Sequence, residues 1–268
     1  MRTTYSRFDY IDAARETGAQ FVELVAGVTD PDLRLTSTPS WTVTDLFGHV
    51  AATPSRYLEL ATGGGAWSCR ADDLPDFNAK QIANLTTRDI RELGDRLLDS
   101  LEQLLDTVGH FGAQVPTMNF DGDRRIRADA ALGILIGEFV VHGHDVARTV
   151  GRTWAIDPAL APMIARGRHH VLPSWVDDTA CRDHCATYDI RLRGTEERFV
   201  YEFTDGHLEV DPAEPQHPDV HISIDPVTAL LAGYGRISPT WAVLTGKAVA
   251  WGAHPWLAAG LGNRFLPA

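Results

Sequence analysis

Residues 128–151 read Ala128-Asp-Ala-Ala-Leu-Gly-Ile-Leu-Ile-Gly-Glu138-Phe-Val-Val-His142-Gly-His-Asp145-Val-Ala-Arg-Thr-Val-Gly151. The stretch predicts one helix from Ala128 to Val150, stopped by Gly151, the favoured residue past a helix end. Glu138 sits among Leu135, Ile136, Phe139 and Val140, in a largely apolar part of that helix. A carboxylate buried there is costly unless it is paired or bound to a metal.

Three more helical stretches precede this one. Phe8, Ile11, Ala14, Phe21, Val22 and Val25 recur at near-helical spacing, and Thr29 to Leu33 ends the run. Thr42 and Asp45 form a capping-box pair, with Trp41 placed before them as a staple. The helix they start runs through Leu46, His49, Val50, Tyr57 and Leu60 to Gly63-Gly64-Gly65, with a kink expected at Pro54. A third stretch has two pieces, Asn78 to Leu85 and Thr87 to about Thr107. The longer piece carries Ile90, Leu93, Leu97, Leu98, Leu101, Leu104 and Leu105. Four helices with one apolar face each describe a four-helix bundle over residues 1–155, and no strand is expected there.

The second half, residues 156–268, changes period. Asp157 to His170 reads as one more helix. Tyr188, Ile190 and Leu192 then alternate, as do Phe199, Tyr201 and Phe203, and Val220, Ile222 and Ile224. Thr204-Asp205-Gly206-His207 has the Asp-Gly signature of a tight hairpin. Three or four strands between about 186 and 225 predict an antiparallel sheet. Short helices are expected after Pro226: Val227–Tyr234, Pro239–Leu244 and His254–Phe265. The fold class is therefore α+β, a bundle followed by a smaller α+β domain.

Hydrophobic residues are 44% and charged residues 22% of the 268, ordinary globular usage. Lys plus Arg is 24 against 36 for Asp plus Glu, a net charge of −12. Such a surface repels phosphate backbones, so no nucleic-acid partner is expected. No run approaches 18 uninterrupted apolar residues, so no membrane span is expected. The first ten residues lack an apolar signal core. Three cysteines, Cys69, Cys181 and Cys185, cannot all pair, which suits a reducing cytoplasm.

Glu138 and His142 are four apart and share one helical face. Asp145 lies three further along the same stripe, while His144 points elsewhere. His49 is mid-helix on a second element that a bundle can bring opposite them. Two imidazoles and one carboxylate form a three-ligand set with an open position, the arrangement of catalytic zinc and of non-haem iron(II). The plainer alternative is an exposed Glu–His pair and a hydrogen-bonded core histidine. The spacing Cys181-x-x-His184-Cys185, with His169 and His170 upstream, fits no standard zinc finger, so free thiols are the expectation. Cys69 has Arg70 beside it but no partnering histidine. Gly63 to Gly65 lacks the lysine and spacing of a phosphate cradle. Trp241, Trp251 and Trp256 read as core or interface packing.

The stretch Trp41-Thr-Val-Thr-Asp-Leu-Phe-Gly-His49 resembles the first metal motif of the DinB-like bundles, and Gly137 to Gly151 resembles the second. The branch most similar is the mycothiol-dependent maleylpyruvate isomerase family. There, the bundle is followed by a domain similar to sterol carrier protein 2, and Asp225-Pro226 to Gly235-Arg236 matches its aspartate-proline, helix, glycine-arginine run. The resemblance implies that His49, Glu138 and His142 bind a divalent metal, zinc by preference, and that mycothiol is the cofactor. It implies a metal-ionised thiol that adds to an electrophilic carbon, in an isomerase or an S-transferase. Arg236 would hold a substrate carboxylate on its guanidinium fork, against the plainer alternative of a surface ion pair. By its place on the stripe, Asp145 either orients a ligand histidine or faces solvent near the helix end. The partners implied are a small-molecule thiol and a small-molecule substrate. The competing reading is a carrier protein that holds an apolar ligand in the second domain.

Overall fold

The computed structural model describes residues 5–65, 67, 70–120 and 124–267. Cys69, read above as an unremarkable thiol, lies outside the described residues. The chain divides into two units. One holds Tyr5–Ile156 with Arg166–Arg168, and the other holds Asp157–Ala165 with the chain from His169 onward.

The first unit is built on helices whose starts are written in their caps. Helix α1 (Arg7–Ala26) opens with a reciprocal Ser6–Asp9 capping box. Helix α2 (Val43–Ala51) opens with the expected one at Thr42 and Asp45, whose carboxylate also meets Arg88. Pro54 breaks this helix instead of kinking it. The chain restarts at Ala52 as helix α3 (Thr53–Ala61), with the proline in the first turn, where its missing N–H has no partner to lose. A 3₁₀ turn leads into α4 (Leu74–Ala83), and Asp89 caps α5 (Ile90–His110).

A β-hairpin, β1 (Thr117–Phe120) with β2 (Arg124–Arg127), comes before the last long helix, α6 (Ala128–Thr149). It corrects the expectation of a strand-free first half. Met118 and Phe120 point inward between outward Thr117 and Asn119, and Ile126 points inward between outward Arg125 and Arg127. Four-residue strands are too short for that alternation to stand out in a sequence window.

Helix α6 lies at the centre, buried on nearly all sides. By length and composition it is the one described helix that passes for a membrane span, but 78% of its most apolar window is buried within the fold. Helix α1 packs against α5 and α6, and α2 and α3 pack against α5. Phe21 ties three elements together, with its ring 5.6 Å from Phe47 and 6.2 Å from Phe139. Gly18 lies close by on α1, where a methyl group would fall 2.5 Å from Leu101 Cδ2 and press that side chain aside.

Helix α7 (Leu160–His169), whose residues 166–168 belong to the first unit, and a 3₁₀ turn precede the five-stranded sheet of the second unit. Its strands are β3 (Ala186–Leu192), β4 (Arg198–Thr204), β5 (His207–Val210), β6 (Val220–Ile224) and β7 (Ala248–Trp251), in spatial order β5-β4-β3-β6-β7. Asp205 and Gly206 both take positive φ, 50° and 83°, which is the two-residue turn that the Asp-Gly signature predicts.

The sheet is antiparallel in three of its four strand pairings, as expected, and β3 and β6 run parallel. The chain crosses from edge strand β5 to the far side of β3 through residues 211–219, a choice that alternation within strands cannot report. Strand β7 was also missed, as four residues among short helices. Those helices are α8 (Pro226–Gly233), α9 (Pro239–Leu244) and α10 (Leu257–Gly260), followed by a 3₁₀ turn.

Tyr188, Phe203, Val220 and Ile222 face the core of this unit. On the other face, the buried Asp189 carboxylate takes Arg198, His221 and Arg191 at 2.5, 2.6 and 3.1 Å. Trp241, Trp251 and Trp256 are exposed, so of the expected core or interface packing the core part does not hold. Trp251 stacks on His221, and Trp256 lies edge-on to His254.

Candidate metal centre

His49 on α2 and the Glu138–His142 pair on α6 come from helices that pack around the same core, and their ligand atoms converge. Glu138 Oε2 lies 3.6 Å from His49 Nε2 and 3.3 Å from His142 Nε2, and all three atoms fall within 4.8 Å of one another. Tetrahedral bonds of about 2.0–2.2 Å to one ion require ligand atoms about 3.4 Å apart. The donor set, two imidazoles and a carboxylate, therefore fits a divalent ion such as zinc with small adjustment. Among the described residues this is the single such cluster.

The outer ring nitrogens are held from behind. His142 Nδ1 faces Asp145 Oδ2 at 3.3 Å, and Asp145 is 1% exposed. His49 Nδ1 faces Gln81 Oε1 at 3.1 Å, and Gln81 Nε2 donates to the His49 carbonyl at 3.3 Å. An accepting oxygen at Nδ1 keeps the proton there, so that the Nε2 lone pair is the one offered to a metal once Nε2 is deprotonated, the usual support of a metal-binding imidazole. Trp41 packs its ring 5.3 Å from that of His49, so the staple position also walls the cluster.

Burial alone would raise the Glu138 carboxyl pKa. Hydrogen bonds to His142 and His49, and their charge, outweigh it and hold the group well below the usual carboxylate range. Burial alone would lower His142, but Asp145 and Glu138 on its two sides push it up to about 9. Without a metal, one proton is thus trapped between two carboxylates, in the place where a cation fits.

Gln81 escaped the sequence reading, because nothing in α4 marks that residue apart from its surface neighbours. Arg56 escaped it as well. Its guanidinium carbon lies 4.7 Å from the ring centres of both Trp67 and Phe77. Phe120 of the hairpin stacks on the same indole at 4.6 Å.

A family model described as the mycothiol maleylpyruvate isomerase N-terminal domain matches residues 14–147, which carry all three ligand candidates and span half of the chain. The chain belongs to this family. The crystal structure of the mycothiol-dependent maleylpyruvate isomerase is similar in fold, with a TM-score of 0.57, 17% identity, and coverage of 88% of this chain and 91% of that one. A histidine-to-alanine mutant of that isomerase gives 0.57 and 16%, over 87% and 91%. No curated relative matches the chain.

In this member of the mycothiol maleylpyruvate isomerase family, Arg236 belongs to the second unit. It follows α8 at Gly235, whose φ is +71°, and its Nη1 donates to the Tyr234 carbonyl at 2.6 Å. The Cys181–Cys185 segment forms no metal cluster among the described residues. Cys181 is buried and donates to the Arg264 carbonyl, burial raises its thiol pKa, and His184 meets the Tyr188 hydroxyl at 3.1 Å.

Proposed function

We propose that this protein is a metal- and mycothiol-dependent isomerase or S-transferase acting on a small electrophilic substrate that bears a carboxylate. The observation that carries the reading is the convergence of His49, Glu138 and His142 in a chain of this family. Support comes also from the fold shared with an enzyme whose name specifies mycothiol dependence and maleylpyruvate isomerisation.

His49, Glu138 and His142 hold the ion, zinc by the nature of the donors, and leave a position open. A bound divalent ion supplies the Lewis acidity that ionises a thiol at neutral pH. Asp145 and Gln81 fix the two imidazoles with Nε2 inward. Trp41 limits water at His49. Arg236 holds the substrate carboxylate, for which its planar fork is suited. The second unit takes the role of the sterol carrier protein 2-like domain, and the protein works in the cytoplasm.

Metal analysis of the purified protein and calorimetry of mycothiol on loaded and stripped protein test the reading. About one equivalent of metal, with thiol affinity that collapses on stripping, supports it. Equal mycothiol affinity in both forms rejects the metal-held thiol. Absence of both metal and mycothiol binding favours a carrier role.

A further inference from the structure

Two contacts between α4 and the α2–α3 pair run in parallel. Gln81 grips His49, and four residues earlier Phe77 supports Arg56. Four residues of helix rise about 6 Å, so the Arg56 guanidinium contacts α4 one turn along from the candidate metal centre.

The setting of this arginine is unusual. Trp67 and Phe77 lie 6.0 Å apart, each 4.7 Å from the guanidinium carbon, so both rings lie to one side of it and form a single aromatic wall. Phe120 stacks on Trp67 and Tyr57 packs edge-on to both, extending the wall. Arg56 is half-buried, and its Nη1 is out of contact with solvent and without a hydrogen-bond acceptor among the described residues. Glu138 and Glu59 attract it only at longer range. An aromatic wall satisfies the face of a guanidinium by cation–π attraction but none of its in-plane N–H donors. A guanidinium N–H buried without an acceptor is costly, and folding tolerates it where a ligand completes the set.

We propose that Arg56 is an anion-binding residue of the helical unit and takes a carboxylate of the substrate on its in-plane donors, about one helical turn from His49, Glu138 and His142. The substrate class is then a small acid that carries a carboxylate for Arg56 besides the one assigned to Arg236, with its electrophilic carbon near the three-ligand cluster. Only that placement of the carbon rests on the thiol-dependent reading. Carboxylate binding by Arg56 stands independently of it.

The test uses the full chain with acrylate and maleate as probes and acrylamide as the uncharged control. The side-chain Nε–H resonance of Arg56 is followed by NMR and assigned from Arg56→Lys. Acrylate and maleate should shift it saturably, and acrylamide should not. By calorimetry, Arg56→Gln should weaken maleate binding roughly tenfold or more, the value of a charge-assisted hydrogen bond. Arg56→Lys, the variant to rely on if the glutamine form misfolds, should weaken it severalfold by losing the fork.

A resonance unmoved at saturating carboxylate, or unchanged affinity in Arg56→Lys, overturns the proposal. Repeating the titration after chelation separates the two readings. A persisting shift in a protein that never holds metal leaves Arg56 standing and removes the metal reading. Normal zinc binding with an unmoved resonance does the reverse.

Discussion

His142 and Asp145, three residues apart on α6, form a ring-nitrogen-to-carboxylate contact of 3.3 Å, and the Asp145 side chain is almost wholly withdrawn from solvent. This contact turns the imidazole so that Nε2 points at Glu138, and it keeps a negative charge behind the ligand. Asp145→Asn preserves shape and removes the charge. Zinc affinity should fall by roughly 10- to 100-fold, as for other supporting carboxylates, with an unchanged circular dichroism spectrum. Competition with a chromophoric chelator measures it, and wild-type affinity would refute the orienting role.

Protonation of His142 sets the pH dependence. Its pKa is raised from 6.5 to about 9 in the metal-free protein, so a metal must expel that proton at any lower pH. Apparent zinc affinity should therefore rise roughly tenfold per pH unit from neutrality and level off near pH 9, with about one proton released per ion at pH 7. Calorimetry in buffers of different ionisation enthalpy counts the proton. Release of none would mean that His142 is neutral before the metal arrives.

Arg236→Lys keeps the charge and loses the fork. If Arg236 holds the carboxylate during reaction, turnover should drop by roughly tenfold or more while zinc affinity stays within about twofold. Steady-state kinetics beside the chelator competition distinguish this from general damage, which would lower both.

Gly167 makes a close backbone approach to α6. A Cβ there would lie 2.8 Å from Gly133 C and from Ile134 N, which cannot swing aside as a side chain can. Gly167→Ala should destabilise the helical unit by about 1–3 kcal/mol, the usual cost of overpacking. Denaturant unfolding followed by far-ultraviolet dichroism reads it, and an unchanged midpoint would show that the two segments separate freely.

Much of this protein is legible from local order. The Thr42–Asp45 cap, the leucine repeat of α5, the apolar run of α6 and the alternation of β3, β4 and β6 each depend on neighbours a few residues away, where backbone geometry and caps act directly. The spacing of Glu138, His142 and Asp145 on one stripe belongs to the same class, because 3.6 residues per turn places them there in any helix.

Other features arise only when the elements pack. The hairpin at Thr117–Arg127, strand β7, the parallel pairing of β3 with β6, and the exposure of three tryptophans all follow from partners distant in sequence. Gln81 behind His49, and the aromatic wall under Arg56, join helices through side chains with no local pattern to mark them. His49 lies 89 positions before Glu138. The sequence by itself determined which residues could serve as ligands and which face of α6 carries two of them. Only the tertiary structure brought the third to 3.6 Å, because burial of apolar faces such as Phe21, Phe47 and Phe139 sets the distance between helices, and no local propensity encodes that distance.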